Sequence, residues 1–295
     1  MSIKNWLKEN TSSLSGKTIA ITGSTGGIGQ ELCKYIAGLG GKLILVDRNR
    51  DKSEDHMKAL HAQFPGTTIS CISANLENIA SVKKAVDSLK KENIDIFIHN
   101  AGAYSIPRHK CSTGYDNVFQ INFASPYYMI KELIPTLKKK KGRVVVVGSI
   151  AHNYSRVDVN DVDFSGTSSS GKVYGNAKRY LMFALHELFK EEKGVSLAIT
   201  HPGITFTNIT AHYPKAIFAI IKHPMKIIFM NPAKAALSVL RGIFEKTEYH
   251  TWIGPKLFDV WGLPSKKALK TCSIEESEYI FGIAEKVYEN CKNSH

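Results

Sequence analysis

Cysteine is scarce and shows no pairing pattern: Cys33, Cys71, Cys111, Cys272 and Cys291 are the five in 295 residues. An odd number without close pairs suits neither a disulfide framework nor a cysteine-based zinc site. It predicts a reducing compartment, the cytoplasm. No run approaches the ~20 apolar residues that cross a bilayer. The nearest, Ala216 to Met230, is cut by Lys222, His223, Pro224 and Lys226. Met1 to Ser15 is polar and lacks the apolar centre of a secretory signal. Acidic residues are short as well, 26 against 39 lysines and arginines, for a formal charge of +13. That balance attracts anions without choosing among nucleic acid, acidic lipid and small molecules. No recognition helix or aromatic RNA motif accompanies it, so no nucleic-acid partner is expected. The eleven histidines show no zinc-protease spacing, and no metal site is expected. Lys138–Lys141 follows a helical stretch and reads as a solvated helix end.

What is present is ordinary for a folded chain, 43% hydrophobic and 22% charged residues. Apolar runs of strand length fall at Lys17–Thr22, Lys42–Val46, Thr67–Ser73, Ile94–His99, Arg143–Gly148 and Val195–His201. Most are continuous, as strands covered on both faces require. Between them apolar residues recur at helical spacing, as in Ile28, Leu32, Tyr35/Ile36 and Leu39. Strand and helix alternating in this way predict a doubly wound α/β fold, a parallel sheet with helices on both sides. One domain is expected over 1–295. A helix from about Pro232 to Phe244, a strand near Tyr249–Gly254 and a C-terminal helix near Ile274–Tyr288 complete it.

The first strand runs into Thr22-Gly23-Ser24-Thr25-Gly26-Gly27-Ile28-Gly29 and opens directly into a helix. Glycines let backbone turn tightly and approach a pyrophosphate, which then meets free N–H groups at the helix N-terminus. Asp47 ends the second strand. A carboxylate there accepts ribose hydroxyls and repels a 2′-phosphate, which favours NAD(H). Arg48 follows at once and could embrace that phosphate, so NADP(H) stays open. Farther on, Tyr174 and Lys178 stand four residues apart on one helix, on a stripe with Leu181, Leu185 and Leu188. A nearby cation lowers a phenol's pKa, so such a tyrosine can exchange protons with an alcohol or carbonyl.

The glycine loop, Asn100-Ala101-Gly102 after the fourth strand, Asn122, Ser149, Tyr174 with Lys178, and Pro202-Gly203 occur in that order. Together they resemble the short-chain dehydrogenase/reductase family in its TGxxxGxG-bearing subtype, with a Rossmann sheet. The resemblance covers about Gly16 to Thr207 by motif. It implies that Thr22, Gly23, Ser24, Gly27, Ile28 and Gly29 hold the cofactor, with Asp47 and Arg48 at the adenosine ribose. Asn75 and Leu76 fall where relatives bind adenine, Asn75 replacing the usual aspartate. Asn100, Ala101 and Gly102 match the turn beside the nicotinamide ribose, where His99 replaces a common asparagine. Pro202, Gly203 and Thr207 match the segment that passes the nicotinamide.

The resemblance also implies four catalytic residues. Tyr174 is the general acid/base. Lys178 binds the nicotinamide ribose and depresses the phenol pKa. Ser149 bonds the substrate oxygen, with Gly148 before it in place of a frequent serine. Asn122 holds a water that links Lys178 to solvent. The segment 204–230 corresponds to the family's helical substrate lid. Its Ile209, Tyr213, Ile217, Phe218, Ile220, Ile221, Ile227, Ile228 and Phe229 suit a lipophilic substrate such as a steroid, a retinoid or a long-chain carbonyl compound. Packing against the core, or docking on a membrane surface beside Lys215, Lys222 and Lys226, would use the same residues. The spacing from Ser149 to Tyr174 resembles the retinol-dehydrogenase-like branch. Relatives commonly form homo-oligomers through the tyrosine-bearing helix and its neighbour. The alternative to an alcohol dehydrogenase or carbonyl reductase is a dinucleotide-binding sensor or scaffold without turnover.

Overall fold

A computed structural model describes residues 1–167, 169–205 and 229–294. Its strands are β1 (Thr18–Thr22), β2 (Lys42–Asp47), β3 (Ile69–Ser73), β4 (Ile96–His99), β5 (Arg143–Val147), β6 (Ser196–Thr200), β7 (Thr251–Leu257) and β8 (Trp261–Ala268). They form one sheet in the order β3-β2-β1-β4-β5-β6-β7-β8. All neighbours pair in parallel except β7 and β8. The doubly wound parallel sheet expected from the sequence is therefore the fold, and the six expected core strands each stand within two residues of their expected bounds.

The helices are α1 (Ile3–Asn10), α2 (Gly27–Gly38), α3 (Arg50–Gln63), α4 (Ile79–Lys91), α5 (Asn117–Phe119), α6 (Ser125–Lys138), α7 (Ser170–Leu188), α8 (Pro232–Phe244) and α9 (Ile274–Asn293). Successive strand residues point to opposite faces and bury both. Ile19, Ile21, Ile98 and Val145 join one apolar cluster with α1, α2 and α8. Ala20, Phe97, Val144 and Val146 join the other, with α4, α6, α7 and α9.

Helix α1 and strand β8 lie outside the sequence reading. Helix α1 buries little beyond Trp6. Strand β8 carries Gly262, Pro264 and three polar or basic residues in succession, Ser265 to Lys267, a composition that edge strands tolerate and that hides them from an apolar search. Most of the expected lid, including Thr207, lies outside the described residues. Its two ends are held together: Thr205 bridges Met230, and the Met230 N–H donates to Ile204 O at 2.8 Å. Among the described residues no helix is long and apolar enough to cross a membrane.

Candidate active site

Strand order reverses between β1 and β4, and in open α/β sheets the crevice at the carboxyl ends beside such a point takes ligands. Thr22 ends β1 there. Its hydroxyl accepts the N–H groups of Asn100 and Ala101, both at 3.1 Å, so its own proton goes to His99 Nδ1, also at 3.1 Å. Burial, reinforced by Lys178, holds the His99 imidazole well below its usual pKa. The ring is neutral and carries its proton on Nε2, a buried nitrogen without a partner among the described residues. Asn100 spends its amide N–H groups on Thr22 O (3.2 Å) and Gly23 O (2.9 Å). It braces the glycine loop from below.

The loop itself requires its glycines. Gly23 has φ +69°, and a Cβ on it would lie 2.8 Å from Ala101 Cα. A Cβ on Gly29 would lie 2.2 Å from Gly23 O. Gly26 caps α2 with no side-chain bond, and no acidic residue stands in the first turn. The turn thus offers uncapped N–H groups to an anion, and these residues fit the pyrophosphate of a dinucleotide. Gly27 opens α2, and Ile28 packs against the apolar cluster beneath it.

Asp47 is less available than the sequence implies. It is buried, accepts from the Ser24 hydroxyl and from Ser53 Oγ at 3.0 Å, and lies 3.4 Å from the Thr25 N–H. Ribose hydroxyls would compete with these bonds. Arg48 points outward, with its side chain 69% exposed and Glu77 at 3.9 Å. Asn75 Oδ1, the expected acceptor for adenine, takes the Glu77 N–H at 3.2 Å in a local turn. Leu76 is buried beside it, and its carbonyl accepts the Ser125 hydroxyl at 2.6 Å.

The expected catalytic side chains converge. After α5 the helix widens into a π-helical turn, Gln120–Ala124, before α6. Asn122 sits in that turn, fully buried. Its Nδ2 donates to Val118 O and Ala103 O, both at 2.8 Å, and its Oδ1 accepts the Ala103 N–H at 3.2 Å. Both amide protons are therefore committed to backbone, and only Oδ1 keeps a lone pair. Gly102 lies between: a Cβ there would be 2.9 Å from Asn122 Oδ1 and 3.6 Å from Lys178 Nζ. Lys178, on α7, is buried, donates to Val147 O at 2.9 Å, and is pushed by burial down to about 8.

Tyr174 is one turn earlier on α7. Its ring lies 5.8 Å from Lys178 Nζ and edge-on to Tyr104 with centroids 5.3 Å apart. Burial raises the phenol pKa, the Ser149 hydroxyl pulls it back, and Tyr104 raises it further. The depression expected from Lys178 does not figure among these causes, and the Lys178 ammonium is turned to the Val147 carbonyl instead. Ser149 follows β5 by two residues and caps the 3-10 turn Ile150–Tyr154 by accepting the Ala151 N–H at 3.2 Å. The glycine before it leaves room for Met182, since a Cβ on Gly148 would lie 2.6 Å from Met182 Sδ and that side chain would have to shift. Pro202 and Gly203 follow β6. Gly203 has φ +84°, and a Cβ there would meet Val260 O at 2.6 Å. Missed in the sequence is Tyr104, a single residue outside any motif. Thr22 is legible there as part of the glycine loop, but its hydroxyl's bonds to His99, Asn100 and Ala101 are not.

A family model described as short chain dehydrogenase matches residues 17–217. An uncharacterized oxidoreductase of Schizosaccharomyces pombe is 28% identical over 253 residues, 80% of this chain and 74% of its own length. Human retinol dehydrogenase 13 is 25% identical over 203 residues, 67% of this chain and 61% of its own, so the chain spans less than two thirds of that relative. Among solved structures, a short-chain dehydrogenase from Sphingobium yanoikuyae in complex with NADPH superposes with a TM-score of 0.61 at 21% identity, over 77% of this chain and 83% of that one.

Proposed function

The chain belongs to the short-chain dehydrogenase family of oxidoreductases, and from that premise we propose that it transfers a hydride between a nicotinamide dinucleotide and a lipophilic alcohol or carbonyl compound. One observation carries the reading: the Tyr174 phenol, the Ser149 hydroxyl and the buried Lys178 ammonium gather beside a glycine turn with uncapped N–H groups. The cofactor, when bound, supplies or takes the hydride. Tyr174 holds the proton that the substrate oxygen gains or loses, and Ser149 orients that oxygen. Lys178 keeps N–H groups beyond its bond to Val147 for the ribose hydroxyls. Asn122 serves chiefly as a staple between the turn at Gly102-Ala103 and the π-helical turn.

NAD(H) is the favoured cofactor, because the buried Asp47 charge beside the loop disfavours a 2′-phosphate, while exposed Arg48 is the residue that would admit NADP(H). A retinoid, steroid or long-chain compound is the substrate class. The apolar sequence of the lid, the Tyr104 wall and the name of the retinol dehydrogenase relative support it. All five thiols are free, in keeping with a reducing compartment such as the cytoplasm. The test is nicotinamide absorbance with NAD⁺ and NADP⁺ against a panel of lipophilic alcohols, with Tyr174→Phe as control. Turnover that the control loses supports the reading. Tight NADH binding with no turnover on any member of the panel would favour a sensor, and no dinucleotide binding would overturn the reading altogether.

A further inference from the structure

Behind Ser149 lies a buried polar cluster that the reaction above does not use. His152, on the 3-10 turn, is 1% exposed. Its Nδ1 is 2.6 Å from the Ser149 carbonyl oxygen, an acceptor only, so Nδ1 must carry the proton. The neutral ring then presents Nε2 as an acceptor, and the Thr271 hydroxyl, 3.0 Å away, donates to it. Burial first, and Arg179 in addition, holds the imidazole below its usual pKa despite the bond to Ser149, which keeps this tautomer in place. Trp252 meets the ring edge-on, with centroids 5.3 Å apart.

The far side of His152 is held by the residue next to Lys178. Arg179 is 3% exposed and donates to His152 O (3.2 Å), to Thr271 O (2.5 Å), and through two nitrogens to Glu276 (2.9 and 2.7 Å). Although burial raises it, the Glu276 carboxyl is held below the usual carboxylate range by that guanidinium. The chain from Ser149 through His152 to Thr271, Glu276 and Arg179 therefore returns to α7, the helix that carries Tyr174 and Lys178. A buried guanidinium forked onto a carboxylate is a geometrically exacting contact.

We propose that His152 is a positioning residue that fixes Ser149 against Tyr174, and that Arg179 with Thr271 and Glu276 is the brace by which the C-terminal segment holds it there. The proposal rests on the dehydrogenase reading for its catalytic consequence. Its geometric content stands independently. Ser149 O takes both the His152 N–H at 3.2 Å and Nδ1, so the carbonyl cannot rotate without breaking two bonds. The Ser149 hydroxyl is left to face the phenol.

His152→Asn and His152→Gln separate this role from a structural one. The asparagine amide can stand where Nδ1 stands and keep the Ser149 bond. The glutamine amide reaches toward Thr271 and loses that bond. Both variants give up one of two buried hydrogen bonds, so their thermal midpoints are expected to be similar. His152→Asn is expected to hold kcat within about threefold of the unsubstituted protein, and His152→Gln to lose roughly 10- to 100-fold, as for a sub-ångström displacement of a reacting group. NADH affinity should not move in either. Hydrogen exchange across residues 147–156 should quicken in His152→Gln and stay slow in His152→Asn. Equal kcat in the two variants, or a kcat that merely follows the midpoint, overturns the proposal. If the unsubstituted protein turns over nothing in the panel, the dehydrogenase reading fails, and the exchange rates alone decide whether His152 holds Ser149.

Discussion

At the scale of single residues, Lys178 states most clearly what the fold does to chemistry. Its ammonium is taken out of water to serve the site, and burial brings its pKa to about 8 from an ordinary 10.5. Between those values the unfolded chain keeps a proton that the folded chain has lost, so this residue makes stability rise with pH across that window. Below about pH 8 both states hold the proton and the full penalty stands. The rise is worth up to roughly 3 kcal/mol. Lys178→Met removes the titrating group, leaving other pH effects common to both proteins. Urea unfolding of the cofactor-free proteins at pH 7 and at pH 10 should show the unsubstituted chain gaining on the variant as pH rises. Parallel behaviour at the two pH values would refute a depressed lysine. The variant should also bind NADH more weakly, since its ribose donor is gone.

At the scale of elements, the placement of Ser149 depends on how closely the 3-10 turn behind it lies on α7. Gly175, directly after the tyrosine, makes that approach available: a Cβ there would stand 2.5 Å from Ala151 O and 2.6 Å from Ser155 Oγ. Gly175→Ala gains up to ~1 kcal/mol in helix propensity. It collides with backbone at a cost of about 1–3 kcal/mol. A net destabilisation is expected by thermal melting, together with a loss of turnover larger than the melting shift explains. An unchanged midpoint and unchanged kcat would mean that the turn yields freely. The sequence displayed the strands because both faces of β1, β2, β4, β5 and β6 are buried and read as unbroken apolar runs. It displayed Tyr174 and Lys178 because helical spacing is local. It could not display what Asn122 and His152 bond to. The partners of Asn122 hang on a π-helical turn, and those of His152 include Thr271, 119 residues away. Nor did Asp47 announce that Ser24 and Ser53 would both claim its Oδ2, since those bonds form only once the glycine loop and α3 close over the end of β2.

At the scale of the whole molecule, α9 decides which faces remain for partners. The homo-oligomer expected from the family resemblance would use the tyrosine-bearing α7 and its neighbour α6. In this chain α9 lies on both. Ile280, Ile283, Ala284, Val287 and Cys291 are buried along its inner stripe. Tyr127 on α6 donates to Glu285 at 2.7 Å, Tyr288 donates to Glu132 at 2.6 Å, and Tyr128 stacks on Tyr288 with centroids 5.7 Å apart. Lys131 pairs with Glu285 and stands 4.0 Å over the Tyr288 ring. At the other end Arg179 is forked onto Glu276. A second copy could reach α6 and α7 only by displacing this helix, which would expose its apolar stripe and leave the buried Arg179 guanidinium without its carboxylate, a change costing several kcal/mol. Light scattering at micromolar concentration is therefore expected to give a monomer, or an oligomer whose cross-links avoid α6 and α7. Cross-links joining α6 or α7 of one copy to the same helices of another would refute that arrangement. The same helix that closes this face also carries the brace on His152, so disrupting it through Glu276→Gln should loosen residues 147–156 in hydrogen exchange before it changes the state of association.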